Sequence, residues 1–290
     1  MTAQINRKKG ILLILASAFC FASMSAVSSI VGDVSAMQKM FFRSVLVAVV
    51  TAVVMKAKGQ SFAVKKDCLK LHFLRSLFGM LGVIGNYYGM SHMVLSDANT
   101  IMEMSPFFVI VLSAIVLKEK ADAKQYAFII MALAGVAFVI KPSAALLSNP
   151  TSLLVLGASI CAGFAYMYVR ALGAKGESGP VIVFVFSVFS AVACLPSMII
   201  NPPQLTARQI LLLLLMGAFA CLGQFTVTAA YRCAPGSEIS IFDYSQVLFS
   251  ALYGWIFYKQ LADKLSYIGY VIIISAALLM FLYNKKKARS

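Results

Sequence analysis

Charged side chains are scarce in this sequence, and acidic ones are the scarcest, with ten aspartates and glutamates among 290 residues. Lys, Arg, Asp and Glu together make up 12 % of the chain, whereas apolar residues supply 61 %. A soluble domain carries roughly 25 % charged residues. This balance excludes a water-soluble globular protein and indicates an integral membrane protein.

Signatures of several other protein classes are also absent. There is no Walker-type phosphate loop and no hydrophilic stretch long enough for a nucleotide-binding domain, which excludes direct drive by ATP. With two histidines and no Cys-x-x-Cys spacing, the six cysteines are interpreted as small apolar residues of the spans, and we expect no metal site and no cofactor. No HExxH motif, nucleophile elbow or catalytic aspartate pair is present, so we expect no enzyme, intramembrane enzymes included.

The apolar residues are gathered into runs of about twenty, the length that an α-helix needs to cross a hydrocarbon core. Because the runs are continuous and do not alternate in polarity, they favour helices over a transmembrane β-barrel. Turn residues and charges separate ten runs, which predict an all-α membrane protein. The predicted transmembrane helices are Gly10–Val31, Met37–Met55, Leu71–Ser91, Ala98–Leu117, Lys124–Ile140, Ser152–Arg170, Val181–Ile200, Gln209–Tyr231, Ser237–Tyr258 and Leu265–Tyr283.

The basic residues indicate how these helices are oriented. If the N-terminus is cytoplasmic, 18 of the 25 Lys and Arg residues fall on the cytoplasmic side, 5 fall on the opposite side and 2 lie inside spans. The positive-inside rule therefore predicts a multi-pass protein of the inner (plasma) membrane with both termini in the cytoplasm. The net charge of +15 is spread over short connections and does not form one basic face, so we do not expect nucleic-acid binding.

The chain contains one intramembrane stretch twice. The segment from Ser96 to Glu119 matches the segment from Ser237 to Gln260 at a shift of 140 residues, so that Glu103 falls on Asp243. Ser105 falls on Ser245 in the same register, and Pro106 falls on Gln246. This duplication predicts two five-helix repeats, residues 1–145 and 150–290. Five is an odd number, so the second repeat enters the membrane from the opposite face and the two repeats are inverted.

Loose motifs along the whole chain give it a family resemblance. They are Phe42-Arg43, Leu74-Arg75-Ser-Leu-Phe-Gly79, Ser105-Pro106, Lys118-Glu119 and Gly135-Val-Ala. With ten spans and a half-chain repeat, the chain resembles the drug/metabolite transporter superfamily, and within it the ten-helix EamA-type transporters. The resemblance implies transport of a small polar metabolite by alternating access. It also implies that helices one to four and six to nine line a central cavity, with helices five and ten at the periphery.

Four charged residues inside the predicted spans are the first candidates for the translocation path. A charge near the centre of a membrane helix costs about 2.5–3.5 kcal/mol on insertion scales, so it should face a wet cavity or another charge. We expect an outer pair, Arg43 with Glu103, and an inner pair, Arg75 with Asp243, at mirrored depths. The alternative is that both arginines extend to the headgroups and the acids form static helix contacts.

Five uncharged residues complete the predicted substrate site. Asn86 and Gln224 occupy corresponding regions of spans three and eight, where a buried amide needs a partner. A cavity position and an interhelical hydrogen bond are equally compatible with both. Aromatic side chains beside these polar positions could stack on a substrate, and Gln246 stands where the first repeat has Pro106. The residues in question are Asn86, Tyr87, Gln224, Tyr244 and Gln246.

We therefore expect a secondary active transporter that exports a small polar or zwitterionic organic metabolite, such as an amino acid, by alternating access. The alternative is a carrier for uptake or exchange of organic anions, either carboxylates or nucleotide-type metabolites. The expected partners are the small-molecule substrate and the lipid bilayer, with protons as a candidate coupling ion. Oligomeric state is left open, a homodimer included.

Overall fold

The computed structural model describes residues 6–92, 101–118, 122–140, 150–258 and 264–287, and within these ranges all regular structure is helical. Two shorter elements directly precede the helix that begins at Ser245: a single helical turn over Gly236–Ile239 and a 3₁₀ segment over Ser240–Tyr244. The main helices are α1 (Arg7–Ile30), α2 (Ala36–Ala57), α3 (Leu69–His92), α4 (Ser105–Val116), α5 (Ala123–Ile140), α6 (Pro150–Ala174), α7 (Gly179–Ile200), α8 (Ala207–Cys233), α9 (Ser245–Tyr258) and α10 (Lys264–Lys287).

The lengths of these helices confirm a multi-pass membrane fold. Seven of them, α1 to α3, α6 to α8 and α10, are long and apolar enough to cross a membrane. Their ends agree with the predicted spans to within about one helical turn. Helices α4 and α5 are shorter apolar helices in the described residues, and α9 has 14 residues. The all-helical fold is thus confirmed, while the count of ten crossings stays a prediction.

Two predicted spans are not the continuous helices that we expected. The described part of the fourth span turns at Glu103 and Met104 before α4 begins, and its predicted first residues, 98–100, lie outside the described ranges. The ninth span is interrupted by the 3₁₀ segment that carries Asp243. Hydropathy could not show either break, because apolar residues surround both. In lipid, backbone outside a regular helix is tolerated only where protein or a cavity surrounds it.

The most extensive contacts between helices are preserved when the two halves are exchanged. When α1 to α5 are matched in order with α6 to α10, the contact of α1 with α8 corresponds to that of α3 with α6, and these two are the most extensive in the fold. The α4–α6 and α1–α9 contacts correspond in the same way, whereas α2–α7 and α5–α10 each correspond to themselves. Two copies of one five-helix unit therefore form the core together.

Small residues allow the closest of these contacts. A Cβ on Gly82 would lie 3.1 Å from the carbonyl oxygen of Ala158, and one on Gly85 would lie 2.6 Å from the Cβ of the same alanine. In the related contact, a Cβ on Gly223 of α8 would lie 2.7 Å from the ring of Phe21 on α1. Close approach of small residues is the usual basis of helix association in membranes. Gly82 and Gly85 are therefore packing residues of α3.

Both ends of the described chain lie at one end of the bundle, which we call the terminal end. Arg7 Nη1 donates to the carbonyl of Asn284 (3.5 Å), and Arg7 also forms an ion pair with Glu238. Burial raises the pKa of Asp122, but hydrogen bonds from Tyr283, the Gln125 backbone and Lys287 outweigh that effect and hold this pKa below its ordinary value. This contact ties the start of α5 to the last turns of α10.

Candidate functional site

A cavity of about 100 Å³ lies between the two halves. It is bordered by α1, α2, α3, α6 and α7, by α8, and by the broken segments that precede α4 and α9. Eight of the nine residues predicted for the substrate site line it. These are Arg43, Arg75, Asn86, Tyr87, Glu103, Gln224, Asp243 and Gln246.

Two arginines face the cavity from the first half, and both are only 2 % exposed. Their guanidinium carbons lie over the ring of Phe186 on α7, at 4.2 Å for Arg75 and 6.0 Å for Arg43. Arg75 Nη2 donates to Gln224 Oε1 (3.3 Å), and Arg43 Nη1 has Met40 Sδ at 3.6 Å. The Nε atoms of both arginines and Nη1 of Arg75 have no hydrogen-bond acceptor among the described residues. Since both side chains are enclosed by protein, neither extends to the headgroups.

The two carboxylates at repeat-related positions, Glu103 and Asp243, line the same cavity. They are 8 % and 9 % exposed, and Oδ1 of Asp243 has no donor within the described part of the chain. The Arg43–Glu103 and Arg75–Asp243 ion pairs do not form: neither pair lies within 4.0 Å, although all four side chains are described. The cavity thus holds two guanidinium and two carboxyl groups, and the two expected ion pairs between them are absent.

The mirrored depths expected for these charges stay a prediction. That expectation assumes continuous helices with a rise of about 1.5 Å per residue, entered from opposite faces of the membrane. Because Glu103 lies in a turn and Asp243 in a 3₁₀ segment, that assumption does not hold for them. All four charges border one cavity. Discontinuous helices with polar groups at the break are typical of transporter binding sites.

The uncharged residues take different positions. Asn86, Gln224 and Gln246 line the cavity, and Gln224 also accepts the hydrogen bond from Arg75, so both roles considered for this amide are present. Tyr87 is 1 % exposed and its hydroxyl lies 3.7 Å from Met24 Sδ. Tyr244, fully buried beside Asp243, does not line the cavity.

Phe186 and Tyr166 are cavity residues that sequence reasoning missed. Phe186 lies in an apolar run of α7, where one more aromatic residue gives no signal, and it is recognisable only from the two guanidinium groups beside its ring. Tyr166 of α6 lines the cavity and stacks on Tyr231 of α8 at 5.2 Å between ring centroids. The sequence does not mark Tyr166 as a cavity residue either, because aromatic residues recur along the spans.

The cavity is small and polar at its centre. Its volume is well below the roughly 300–1,000 Å³ of a site for a drug-sized ligand, so in this conformation it admits a small molecule or one end of a longer one. Buried guanidinium groups bind carboxylate or phosphate, and buried carboxylates bind ammonium groups. Within the described ranges no three His, Cys, Asp or Glu side chains gather as a metal ion would require.

Comparison with known proteins agrees with this architecture. The chain is 28% identical to the pseudopaline exporter CntI of Pseudomonas aeruginosa, over 93% of this chain and 95% of that protein. It is 26% identical to an S-adenosylmethionine uptake transporter of Rickettsia bellii (76% and 75% covered). It is 23% identical to a riboflavin transporter of Brucella anthropi (86% and 89% covered).

A solved crystal structure shares the fold. It superposes with a TM-score of 0.81 at 16% sequence identity, over 97% of this chain and 99% of that one. The model of the EamA-like transporter family matches this chain twice, over residues 8–141 and 149–282. The two matches cover both five-helix halves, and the chain belongs to the EamA-like transporter family.

Proposed function

We propose that this protein is a secondary active transporter that exports a small zwitterionic organic metabolite, such as an amino acid, by alternating access. The observation that carries the proposal is the cavity in which two buried arginines and two buried carboxylates stand without direct ion pairs. Uncompensated buried charge is costly, and a ligand that carries both signs would compensate it. The carboxylate of the cargo would bind near Arg43 and Arg75, and its ammonium group near Asp243.

The relatives described above transport different small molecules and leave the direction of transport open. They include one exporter and one uptake transporter, so direction does not follow from membership in the family. The second candidate function is uptake or exchange of organic anions, which the two arginines beside one aromatic ring favour. The carboxylates decide between the candidates, because an anion alone gains nothing from Asp243.

Alternating access is proposed from the internal repeat. Two halves that exchange their contacts can also exchange conformations, which is how inverted repeats produce inward-open and outward-open states. We place the terminal end, with both ends of the chain, in the cytoplasm, because most Lys and Arg residues fall on that side. The protein would then lie in the inner membrane, with helices five and ten at the periphery.

A proteoliposome panel tests the proposal. Purified protein is reconstituted, and exchange of labelled amino acids, dicarboxylates and nucleotides is measured with and without a pH gradient. We expect transport of one amino-acid-type zwitterion, lost in Asp243→Asn, with simple carboxylates transported poorly. Carboxylate transport that survives Asp243→Asn would favour the anion carrier. Transport of no member of the panel by folded protein would contradict both candidates.

Gly79→Ala is expected to impair transport without unfolding the protein. The new methyl group would overlap Arg75 Nη1 and lie 2.9 Å from Phe186 Cε2, so the guanidinium would have to leave the ring. Overpacking of this kind costs on the order of 1–3 kcal/mol, and we expect transport to fall at least about fivefold. Gly157→Ala on α6 is the matched control, because a Cβ there meets nothing within 4 Å. Equal transport in both variants would show that the position of Arg75 does not matter.

A further inference from the structure

A second recess lies on the outside of the bundle, between α1, α10 and the segment that leads into α9. Its volume is about 340 Å³. Ile11 and Leu15 line it from α1, residues from Ile273 to Phe281 line it from α10, and Ile241 and Phe242 form its floor. Ile274 and Leu278 on its border are 53% and 54% exposed, so the recess opens on the surface of the bundle that faces lipid. We call it the α1–α10 groove.

The lining of the groove is apolar, and its terminal end is flanked by basic residues. Lys8 precedes Ile11 by three residues on α1, and Lys285 follows Phe281 by four on α10. Residues three or four apart share a helix face, so each lysine stands one turn beyond the groove, at the same end of the bundle. Both lysines are exposed. Nearby acidic groups are already engaged, since Glu238 pairs with Arg7 and Asp122 with Lys287.

We infer that the α1–α10 groove is a binding site for an anionic phospholipid. One acyl chain lies in the groove against Leu15, Phe242 and Leu278, and the phosphate lies between Lys8 and Lys285. The groove combines an apolar slot along the membrane-spanning direction with two basic residues beyond its terminal end. An acyl chain fits the first part and a phosphate headgroup the second. Basic residues at the membrane surface are known to select anionic lipids.

The floor of the groove connects this lipid to the transport site. Ile241 and Phe242 precede Asp243 directly, and Ser245 follows it by two residues and also lines the groove. The Ser245 hydroxyl is buried and has no hydrogen-bond partner among the described residues. The 3₁₀ segment thus lies between the cavity on one side and the acyl chain on the other. Occupation of the groove supports the segment from the side that faces lipid.

Native mass spectrometry of the purified full chain tests this site. The detergent-solubilised protein is titrated with phosphatidylglycerol, with phosphatidylcholine of the same acyl chains, and with inorganic phosphate. We expect phosphatidylglycerol to bind most tightly, and its affinity to fall about 30-fold in the double variant Lys8→Gln/Lys285→Gln, roughly a factor of five for each lysine. Ala277→Phe, which fills the groove, should abolish binding of the tightest lipid.

The matched control variants carry the same types of substitution, Lys→Gln and Ala→Phe, at positions outside the α1–α10 groove. Lys56→Gln/Lys58→Gln removes two exposed lysines beyond α2 or at its end, and Ala193→Phe adds a ring on an exposed face of α7; both should leave binding unchanged. Equal retention of phosphatidylglycerol by the groove variants and the controls would overturn the proposal in favour of unspecific surface lipid. Competition by inorganic phosphate would point to a free-anion site. A lipid-free dimer that is lost in Ala277→Phe would show that a second copy of the chain covers the groove.

Discussion

Arg75→Gln is expected to remove most transport while leaving the folded protein at least as stable as the wild type. Loss of one partner from a buried charge contact costs roughly 2–5 kcal/mol, so transport of the proposed cargo should fall on the order of 100-fold. In the empty protein, however, the Arg75 guanidinium is buried with Nε and Nη1 lacking acceptors among the described residues. Its burial is therefore a cost that the neutral glutamine does not carry.

Testing this prediction requires both transport and thermal stability to be measured. Transport is followed in proteoliposomes, and thermal unfolding is followed on the same purified variants. Lys58→Gln, at the exposed end of α2, is the control and should change neither quantity. If Arg75→Gln lowered thermal stability markedly, Arg75 would be a structural residue whose contacts with Phe186 and Gln224 hold the helices together, and its place in the cargo site would be lost.

Much of the cavity could be predicted from the sequence, because charge and amide groups in an apolar span have few tolerable positions. Arg43, Glu103 and Asp243 border an enclosed space for the reason that singled them out: their burial in lipid would be too costly. The same reasoning placed Asn86 and Gln224. Span positions followed from the length of the apolar runs, which the thickness of the bilayer determines.

The geometry within the cavity could not be predicted in the same way. The helix breaks at Glu103 and before α9 depend on tertiary contacts. Hydropathy does not reveal them, because an apolar sequence can form an α-helix or a 3₁₀ segment. The false pairing of each arginine with the nearest acid followed from assuming unbroken helices. Phe186 is invisible for a further reason: its importance comes from the cations that lie beside it and not from its own polarity.

Glu177 is another residue that its sequence context conceals, because it lies in a glycine-containing turn between α6 and α7. It is 3 % exposed. Its carboxylate accepts hydrogen bonds from the backbone nitrogens of Lys65 and Ser178 (3.3 Å each) and lies 3.3 Å from His72 Nε2 at the start of α3. The contact joins the two halves at the terminal end. His72 precedes Arg75 by one helical turn, so this contact lies next to the cavity.

The first half contains a matching turn, in which the acidic side chain is exposed and not buried. Gly32-Asp33 corresponds to Gly176-Glu177, and both glycines have positive φ, 82° and 73°. The serine that follows caps the next helix in both halves, Ser35 for α2 and Ser178 for α7. Asp33, however, is exposed. Glu177 therefore joins the two halves at the terminal end, whereas Asp33, its counterpart at the opposite end, is exposed.

On the proposed alternating-access mechanism, Glu177→Gln is expected to open the terminal end. The neutral amide lacks the negative charge that lies beside His72 Nε2 and accepts the hydrogen bond from the Lys65 backbone nitrogen. Weakening one partner of a buried polar network costs roughly 1–3 kcal/mol. A shift of that size changes the ratio of the two conformations by about 5- to 150-fold. In the opposite conformation the repeat predicts that Asp33 becomes buried against the first turn of α8, where Arg208 is exposed in the present structure.

Cysteine accessibility measures this shift directly. In a cysteine-free background, Ala165→Cys places a thiol on the wall of the cavity, and a membrane-impermeant maleimide is applied to inside-out vesicles. Labelling should be at least about tenfold faster with Glu177→Gln than without it. Asp67→Asn is the matched control, because Asp67 also faces the other half at this end, 4.0 Å from Lys175, but its side chain is 69% exposed. An exposed pair of this kind contributes little, so labelling should be unchanged. Equal labelling rates for Glu177→Gln and Asp67→Asn would mean that the Glu177 contact does not keep the terminal end closed. The contacts that close this end would then lie elsewhere along the α3–α6 interface.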